Sequence, residues 1–146
     1  MTTITTAALA AELAAATPAL DDEQQQLVLR LYRLLAEGEP VEHDRLATTS
    51  GLPSDRVSKL LGELAGVYLD ENGRVIGFCG LAIRPMAHRL LVDDRVLYAW
   101  CAWDTLFLPE RIGQPARVQS TCPTTGAPIS LSVHGLEVSD VAPAGT

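Results

Sequence analysis

The chain has 146 residues, 47% of them hydrophobic, enough for one large domain or two small ones around a sizeable core. Basic residues number 11 and acidic residues 18, and the formal net charge of -7 argues against nucleic-acid binding through bulk charge. No apolar run reaches the roughly 18 residues of a membrane span, and Met1–Ala16 lacks the basic leading segment of a secretory signal.

An alanine-rich amphipathic helix is expected over Met1–Thr17, with Leu9 and Leu13 in its apolar stripe and Pro18 closing it. Asp21 or Asp22 caps the next helix, in which Leu27, Val28, Leu31, Leu34 and Leu35 recur at helical spacing before Gly38 and Pro40. Val41–Thr49 reads as a short helix and Ser50-Gly51-Leu52-Pro53 as a turn. Ser54 then caps a helix through Val57, Leu60, Leu61 and Leu64. This is the order of a helix-turn-helix. Glu71-Asn72-Gly73, flanked by Tyr68–Asp70 and Arg74–Gly77, is a hairpin signal and would form a wing.

Beyond the wing the pattern changes to strands, at Leu81–Ile83, His88–Val92, Ala116–Thr121 and Ile129–Val133, with an alternating tail over Leu136, Val138 and Val141. Asp93-Asp94 and Cys122–Pro128 read as turns. The expected fold is α+β. Residues 1–20 form an extension or helix and 21–80 a winged-helix-like subdomain. Residues 81–146 form a small antiparallel or mixed sheet with one buried helix. The boundary falls near Gly77–Gly80.

That buried helix is expected over the unbroken apolar stretch from Leu97 to Leu108, stopped by Pro109 and closed by Gly113. On a helix Cys101 and Asp104, three residues apart, share a face. A thiol beside an acid under aromatic cover suits proton and sulfur chemistry. The plain alternative is a core helix whose cysteine is a small hydrophobe and whose aspartate caps or pairs locally.

The winged-helix half is a weak candidate for reading DNA. Arg45, Arg56 and Lys59 stand among Glu42, Asp44, Asp55 and Glu63, so few cations face a phosphate backbone. A packing module is the simpler reading. The cysteines, Cys79, Cys101 and Cys122, are odd in number and contain no Cys-x-x-Cys pair. They suit reduced thiols in a cytoplasm rather than disulfides or a zinc site. His43, His88 and His134 are dispersed and show no ligand spacing.

Three segments stand out together. The first is Val92-Asp93-Asp94-Arg95-Val96-Leu97-Tyr98-Ala99-Trp100-Cys101-Ala102-Trp103-Asp104-Thr105-Leu106, with Pro109 and Gly113 beyond it. The second is Ala116-Arg117-Val118 with Cys122, Thr125-Gly126-Ala127-Pro128 and Ser130-Leu131. The third is Val141–Gly145. In these segments, and in its layout from about Leu27 onward, the chain resembles the organomercurial lyase (alkylmercury lyase, MerB) family. The resemblance implies protonolysis of a carbon–mercury bond to a hydrocarbon and Hg(II), using two cysteines and an acid. Carried over by position, Cys101 is the first catalytic cysteine, Asp104 the catalytic acid, and Cys122 a structural cysteine.

The chemistry suits the residues. Mercury is soft and thiolate is its matching ligand, so Cys101 also holds the mercury product. A cysteine that must ionise needs a neighbour to take its proton. Tyr98, Trp100, Trp103 and Phe107 are expected to line the substrate pocket, and burial beneath them would raise the proton affinity of Asp104. The resemblance implies no cofactor beyond an external thiol as co-reactant, with small thiols or a mercuric reductase accepting Hg(II).

The second catalytic cysteine of the family lies downstream of the segment matching Cys122, and this chain reaches Thr146 before it. The chain reads as a short form, and Cys79 is the candidate second thiol. Without the downstream part, Val118, Leu131 and Val133 are expected on an exposed sheet surface that a homodimer would cover. Two other functions fit less of the sequence: a thiol protein that binds mercury or another soft metal without turnover, and a winged-helix regulator with a lyase-derived sensor half.

Overall fold

A capping box starts the main helix of the N-terminal half. Asp21 is extended, its carboxylate accepts the Gln24 N–H at 2.8 Å, and the Gln24 side chain accepts the Asp21 N–H at 3.1 Å. The structure is a computed structural model that describes residues 6–16 and 19–145. Helix α1 spans Thr6–Ala16. Residues 1–5 and 17 of the expected first helix, and the side chains of its stripe residues Leu9 and Leu13, lie outside the described residues. The capped helix is α2 (Asp22–Leu35), and it buries Leu27, Val28, Leu31, Tyr32, Leu34 and Leu35 along one face. Helix α3 (His43–Ser50) ends at Gly51, which takes φ 69° as a left-handed cap.

Helix α4 (Ser54–Glu63) has Pro53, not Ser54, at its N-cap. The Ser54 hydroxyl instead donates to Asp44 Oδ1 at 2.6 Å and ties α4 to α3. Proline has no side-chain acceptor, and Pro53 contributes its fixed φ and its carbonyl, which accepts the Val57 N–H at 3.0 Å.

The hairpin of β1 (Val67–Leu69) and β2 (Val75–Phe78) follows as expected, with Asp70 N–H bonded to the Arg74 carbonyl across the turn. Six more strands complete the sheet: β3 (Leu81–Ala82), β4 (His88–Val92), β5 (Arg95–Ala99), β6 (Ala116–Thr121), β7 (Pro128–His134) and β8 (Glu137–Ala142). They form one eight-stranded antiparallel sheet in the order β1-β2-β3-β5-β4-β6-β7-β8. The β1–β2 hairpin, expected as a wing, is therefore part of the same sheet as the C-terminal strands rather than a separate element. Strands β2 and β3 pair on either side of the turn at 79–80, and one apolar cluster joins Leu27, Leu31 and Leu35 of α2 to Val75, Leu81, Leu90 and Leu97 of the strands.

The Leu97–Leu108 stretch is not one helix. Leu97–Ala99 completes β5, with Leu97 opposite Leu90 and Ala99 opposite His88. A bend covers 100–103, and helix α5 runs Asp104–Ile112. The two-residue Asp93-Asp94 turn, with Asp93 at φ 52°, sets the register that draws these residues into the sheet. A continuous apolar run does not distinguish strand from helix by itself. Pro109 does not stop α5 but sits inside it, buried with Leu108 and Ile112. Its φ suits a helix and it forfeits a single backbone bond. The stop is Gly113, whose N–H and that of Gln114 bond back to Glu110 and Pro109 in a Schellman arrangement.

Helix α2 packs against α3, α5, β2 and β3. The Arg95 guanidinium donates to the Ala36 carbonyl at 3.0 Å, so the β4–β5 hairpin caps the end of α2. Val118 and Val133, expected at an exposed surface, are buried, and Leu131 is half-buried. Helix α5 lies against β7 and gives that face its cover. The expectation of a homodimer loses that ground; the exposed apolar side chains of this end are Leu136 and Val138.

Candidate functional site

Asp104 opens α5, and its Oδ2 accepts the backbone N–H of Cys101 at 2.9 Å. That bond ties the bend to the first residue of the helix, while the free donors of the first turn, the N–H groups of Thr105 and Leu106, are met by the carbonyls of Ala102 and Trp103. Thr105 reinforces the bend by donating its hydroxyl to the Ala102 carbonyl at 2.6 Å. Cys101 therefore lies in the bend before the helix, not on a helix face with Asp104, and it is exposed.

The carboxylate packs against the tip of the β2–β3 hairpin. Gly80 at that tip takes φ 94°, and a Cβ there would stand 2.6 Å from Asp104 Cγ and 2.7 Å from Oδ1. No other residue fits that approach. The Trp100 N–H donates to the Gly80 carbonyl at 2.9 Å, so the hairpin tip is bonded to the residue preceding Cys101.

A cavity of about 580 Å³ opens at this junction, lined by Leu20, Val28, Tyr32, Phe78, Cys79, Gly80, Trp100, Asp104, Phe107 and Arg111; Cys101 is not in its wall. Of the residues expected to form a pocket, Trp100 and Phe107 line it and Tyr98 and Trp103 do not. Trp103 is 65% exposed, so it gives Asp104 no cover. Tyr98 belongs to β5, between Arg89 and Ala82. Trp100 stacks edge-on with Tyr68, with ring centroids 4.8 Å apart.

Cys79, half-buried, is brought to the cavity beside Asp104. Its Sγ lies 3.4 Å from the Ala65 carbonyl and fills the space left by Gly66, where a Cβ would stand 2.7 Å from the sulfur. Burial, and then the negative charge of Asp104, push the Cys79 thiol up. The Tyr32 hydroxyl donates to the Cys79 carbonyl at 3.0 Å, and its ring meets Phe78 edge-on. Burial pushes the Tyr32 phenol up, as does negative charge on Cys79 and Asp104, with Arg111 opposing, so Tyr32 acts as a hydrogen-bond donor.

Cys122 lies apart, in the β6–β7 loop. The Cys122 N–H donates to the Ala127 carbonyl, and the Gly126 N–H donates to the Cys122 carbonyl. Bonds from the Thr125 hydroxyl and from the Thr125 and Thr124 N–H groups push its thiol down. A larger concavity, about 780 Å³, lies over β6 and β7 with Arg89 and Arg117 in its wall, but it contains neither a thiol nor a carboxylate. Among the described residues no group of three or more His, Cys, Asp or Glu side chains is placed to hold a metal ion. No helix among them is long and apolar enough to cross a membrane.

The family model described as alkylmercury lyase matches residues 81–146, and that described as the helix-turn-helix domain of alkylmercury lyase matches residues 6–79. The chain belongs to the alkylmercury lyase family. An alkylmercury lyase of Bacillus cereus is 44% identical over 113 residues, covering 77% of this chain and 51% of that protein. One of Pseudomonas putida is 43% identical over 125 residues, covering 86% and 58%. The crystal structure of the mercury-bound form of MerB2 matches with a TM-score of 0.70 at 25% identity, over 92% of this chain and 65% of that one. The chain spans about half the length of the curated relatives it matches.

In this alkylmercury lyase family member the two matched regions meet at Gly80, and the cavity takes its walls from both. Tyr32, Phe78 and Cys79 come from the first, and Trp100, Asp104, Phe107 and Arg111 from the second. Tyr32, Gly80 and Arg111 were not expected at the site. Tyr32 sits on the apolar stripe of α2 and reads as core, Gly80 reads as a turn former, and Arg111 reads as a cation near a helix end. No local signal marks any of them.

Proposed function

We propose that the chain acts as an organomercurial lyase, cleaving a carbon–mercury bond to a hydrocarbon and Hg(II). Cys101, exposed in its bend, attacks mercury as the thiolate and displaces the ligand opposite the organic group. Asp104 moves the proton that ends on carbon. The observation that carries this reading is the placing of the Asp104 carboxylate, one oxygen on the Cys101 N–H and the group itself walling the cavity. Trp100 and Phe107 offer apolar walls for the organic group. An external thiol then removes Hg(II) by exchange and passes it to further small thiols or a mercuric reductase, and the reaction uses no other cofactor. Free thiols throughout suit a cytoplasmic setting.

The winged-helix half serves as a packing module in this reading. The cations that a DNA-reading surface would use are engaged by carboxylates: Arg56 by Glu23, Arg45 by Glu37 at 2.5 Å, and Lys59 near Glu63 at 4.0 Å. Their placement supports neither a phosphate footprint nor a regulator.

The test is hydrocarbon release from phenylmercuric acetate with excess small thiol. The parent chain is expected to release benzene, Cys101→Ser to release none, and Asp104→Asn to be slowed by about 10²–10⁴. A parent that holds mercury on Cys101 and releases no benzene would replace the lyase reading with that of a mercury-binding thiol protein.

A further inference from the structure

One face of α5 carries three different chemistries in a row. Asp104, Phe107 and Arg111 recur at the spacing that keeps side chains on one side of a helix, and all three line the cavity of about 580 Å³. Asp104 and Arg111 are seven residues apart, about 10 Å along the helix axis. A carboxylate therefore stands at one end of this wall and a guanidinium at the other, with an aromatic ring between them. Val28 and Phe78 add apolar surface from α2 and β2.

A cation in the last turn of a helix ordinarily serves the helix carbonyls or a nearby acid. Here those partners are engaged or absent. The carbonyls of Pro109 and Glu110 already accept the N–H groups of Gln114 and Gly113. Arg45, Arg56, Arg74 and Arg95 each meet a carboxylate, whereas among the described residues none lies within ion-pair distance of Arg111. Asp104, on the same face, is held by the Cys101 N–H. The guanidinium is felt inside the cavity: burial and the negative charge of Cys79 and Asp104 push the Tyr32 phenol up, and Arg111 opposes them. Its donors, set in a planar fork, are free to take a carboxylate in two parallel bonds.

We propose that the Arg111 end of the cavity is a subsite for an anionic substituent on the organic group, so that the chain favours arylmercury compounds whose ring bears a carboxylate far from the metal. The proposal deepens the lyase reading and rests on it. The two ends of the wall set the direction of binding. The ring lies along Phe107 and Phe78, its carboxylate pairs with Arg111, and the like charge of Asp104 turns that carboxylate away from the opposite end. The carbon that bears mercury is then left at the Asp104 end, where the proton is delivered. A para carboxylate suits this layout. An ortho carboxylate, which sets the charge beside the mercury, does not.

The experiment has a binding arm without mercury and a turnover arm, both on the full chain. Binding of benzoate and of benzamide, its neutral isostere, is followed by ligand-observed nuclear magnetic resonance. The parent is expected to hold benzoate about tenfold more tightly. Arg111→Gln is expected to hold the two alike, and Arg117→Gln, in the concavity over β6 and β7, to keep the parent's preference. In turnover with excess small thiol, benzoate release from 4-chloromercuribenzoate is compared with benzene release from phenylmercuric acetate. The parent's kcat/KM ratio is expected to favour the carboxylated compound by about tenfold, and the ratio to fall towards one in Arg111→Gln. The 2-chloromercuribenzoate isomer is expected to gain nothing from Arg111. Arg111 is exposed, and a thermal midpoint near the parent's shows that the variant is folded. Equal binding of benzoate and benzamide by the parent overturns the subsite without any variant. So does a turnover ratio unchanged in Arg111→Gln, which leaves the lyase reading standing. Loss of the preference in Arg117→Gln instead moves the anion to the other concavity and overturns the assignment. A chain that turns over neither compound, yet prefers benzoate only with Arg111 in place, removes the lyase reading and keeps the anion subsite.

Discussion

Two backbone features hold Asp104: the Cys101 N–H at 2.9 Å and the bare Cα of Gly80. Gly80→Ala would place a methyl carbon within 2.6 Å of the carboxyl carbon, and would do so at φ 94°. Either the hairpin tip or Asp104 must then move. The expected cost is about 1–3 kcal/mol of stability, read by urea denaturation, together with loss of benzene release while phenylmercury still adds to Cys101. Cys101 and Asp104 stand out in the sequence as candidates because their side-chain chemistry is unusual in an apolar run. Their spatial relation was not, because three residues apart means one face on a helix and something else in a bend. Gly80 and Tyr32 were illegible for a different reason. What they contribute, an absent Cβ and a hydroxyl aimed at a carbonyl 47 residues away, depends on partners distant in sequence.

At the scale of elements, the β1–β2 turn has its own electrostatic anchor. Asp70 accepts the Asn72 and Arg74 N–H groups at 2.9 Å and the Arg74 side chain at 2.8 Å. Burial works to raise this carboxyl, and the donors outweigh it, holding it below the usual carboxylate value. A carboxyl lowered by folding adds stability above its unfolded pKa, about 3.9. That stability is lost as pH falls through the folded value. Urea midpoints measured across acid pH are expected to drop in this range, and the drop should be smaller in Asp70→Ala. The hairpin itself was legible from Glu71-Asn72-Gly73, as was the start of α2 from Asp21. These are local signals, set by backbone conformations that few residues tolerate. The split of Leu97–Leu108 into strand, bend and helix was not legible, because an apolar run lacks the polar positions that reveal a period. Pro109 misled for a related reason: proline is excluded from helices by an average cost, which a buried position can offset.

At the scale of the whole molecule, the two halves share one apolar cluster, with Leu31 of α2 fully buried within it. Leu31→Ala is expected to cost about 2–5 kcal/mol. It should also lower far-ultraviolet dichroism and tryptophan fluorescence midpoints together, since Trp100 and Trp103 report on the C-terminal half and most helix lies in the other. Separate midpoints would show two units that melt independently. The α+β class and the order of elements apart from β5 were legible from periodicity and turn signals. The union of wing and C-terminal strands in one sheet was not, because strand order depends on pairing between distant segments.

The bond from Tyr32 to the Cys79 carbonyl gives α2 a part beyond packing. A helix that supplies no reacting atom works as a jig: it clamps the hairpin tip that in turn seats the carboxylate. The outer faces of α3 and α4 can then vary with little consequence for that seat, whereas a slide of α2 would be passed through Tyr32 to the hairpin tip and on to Asp104.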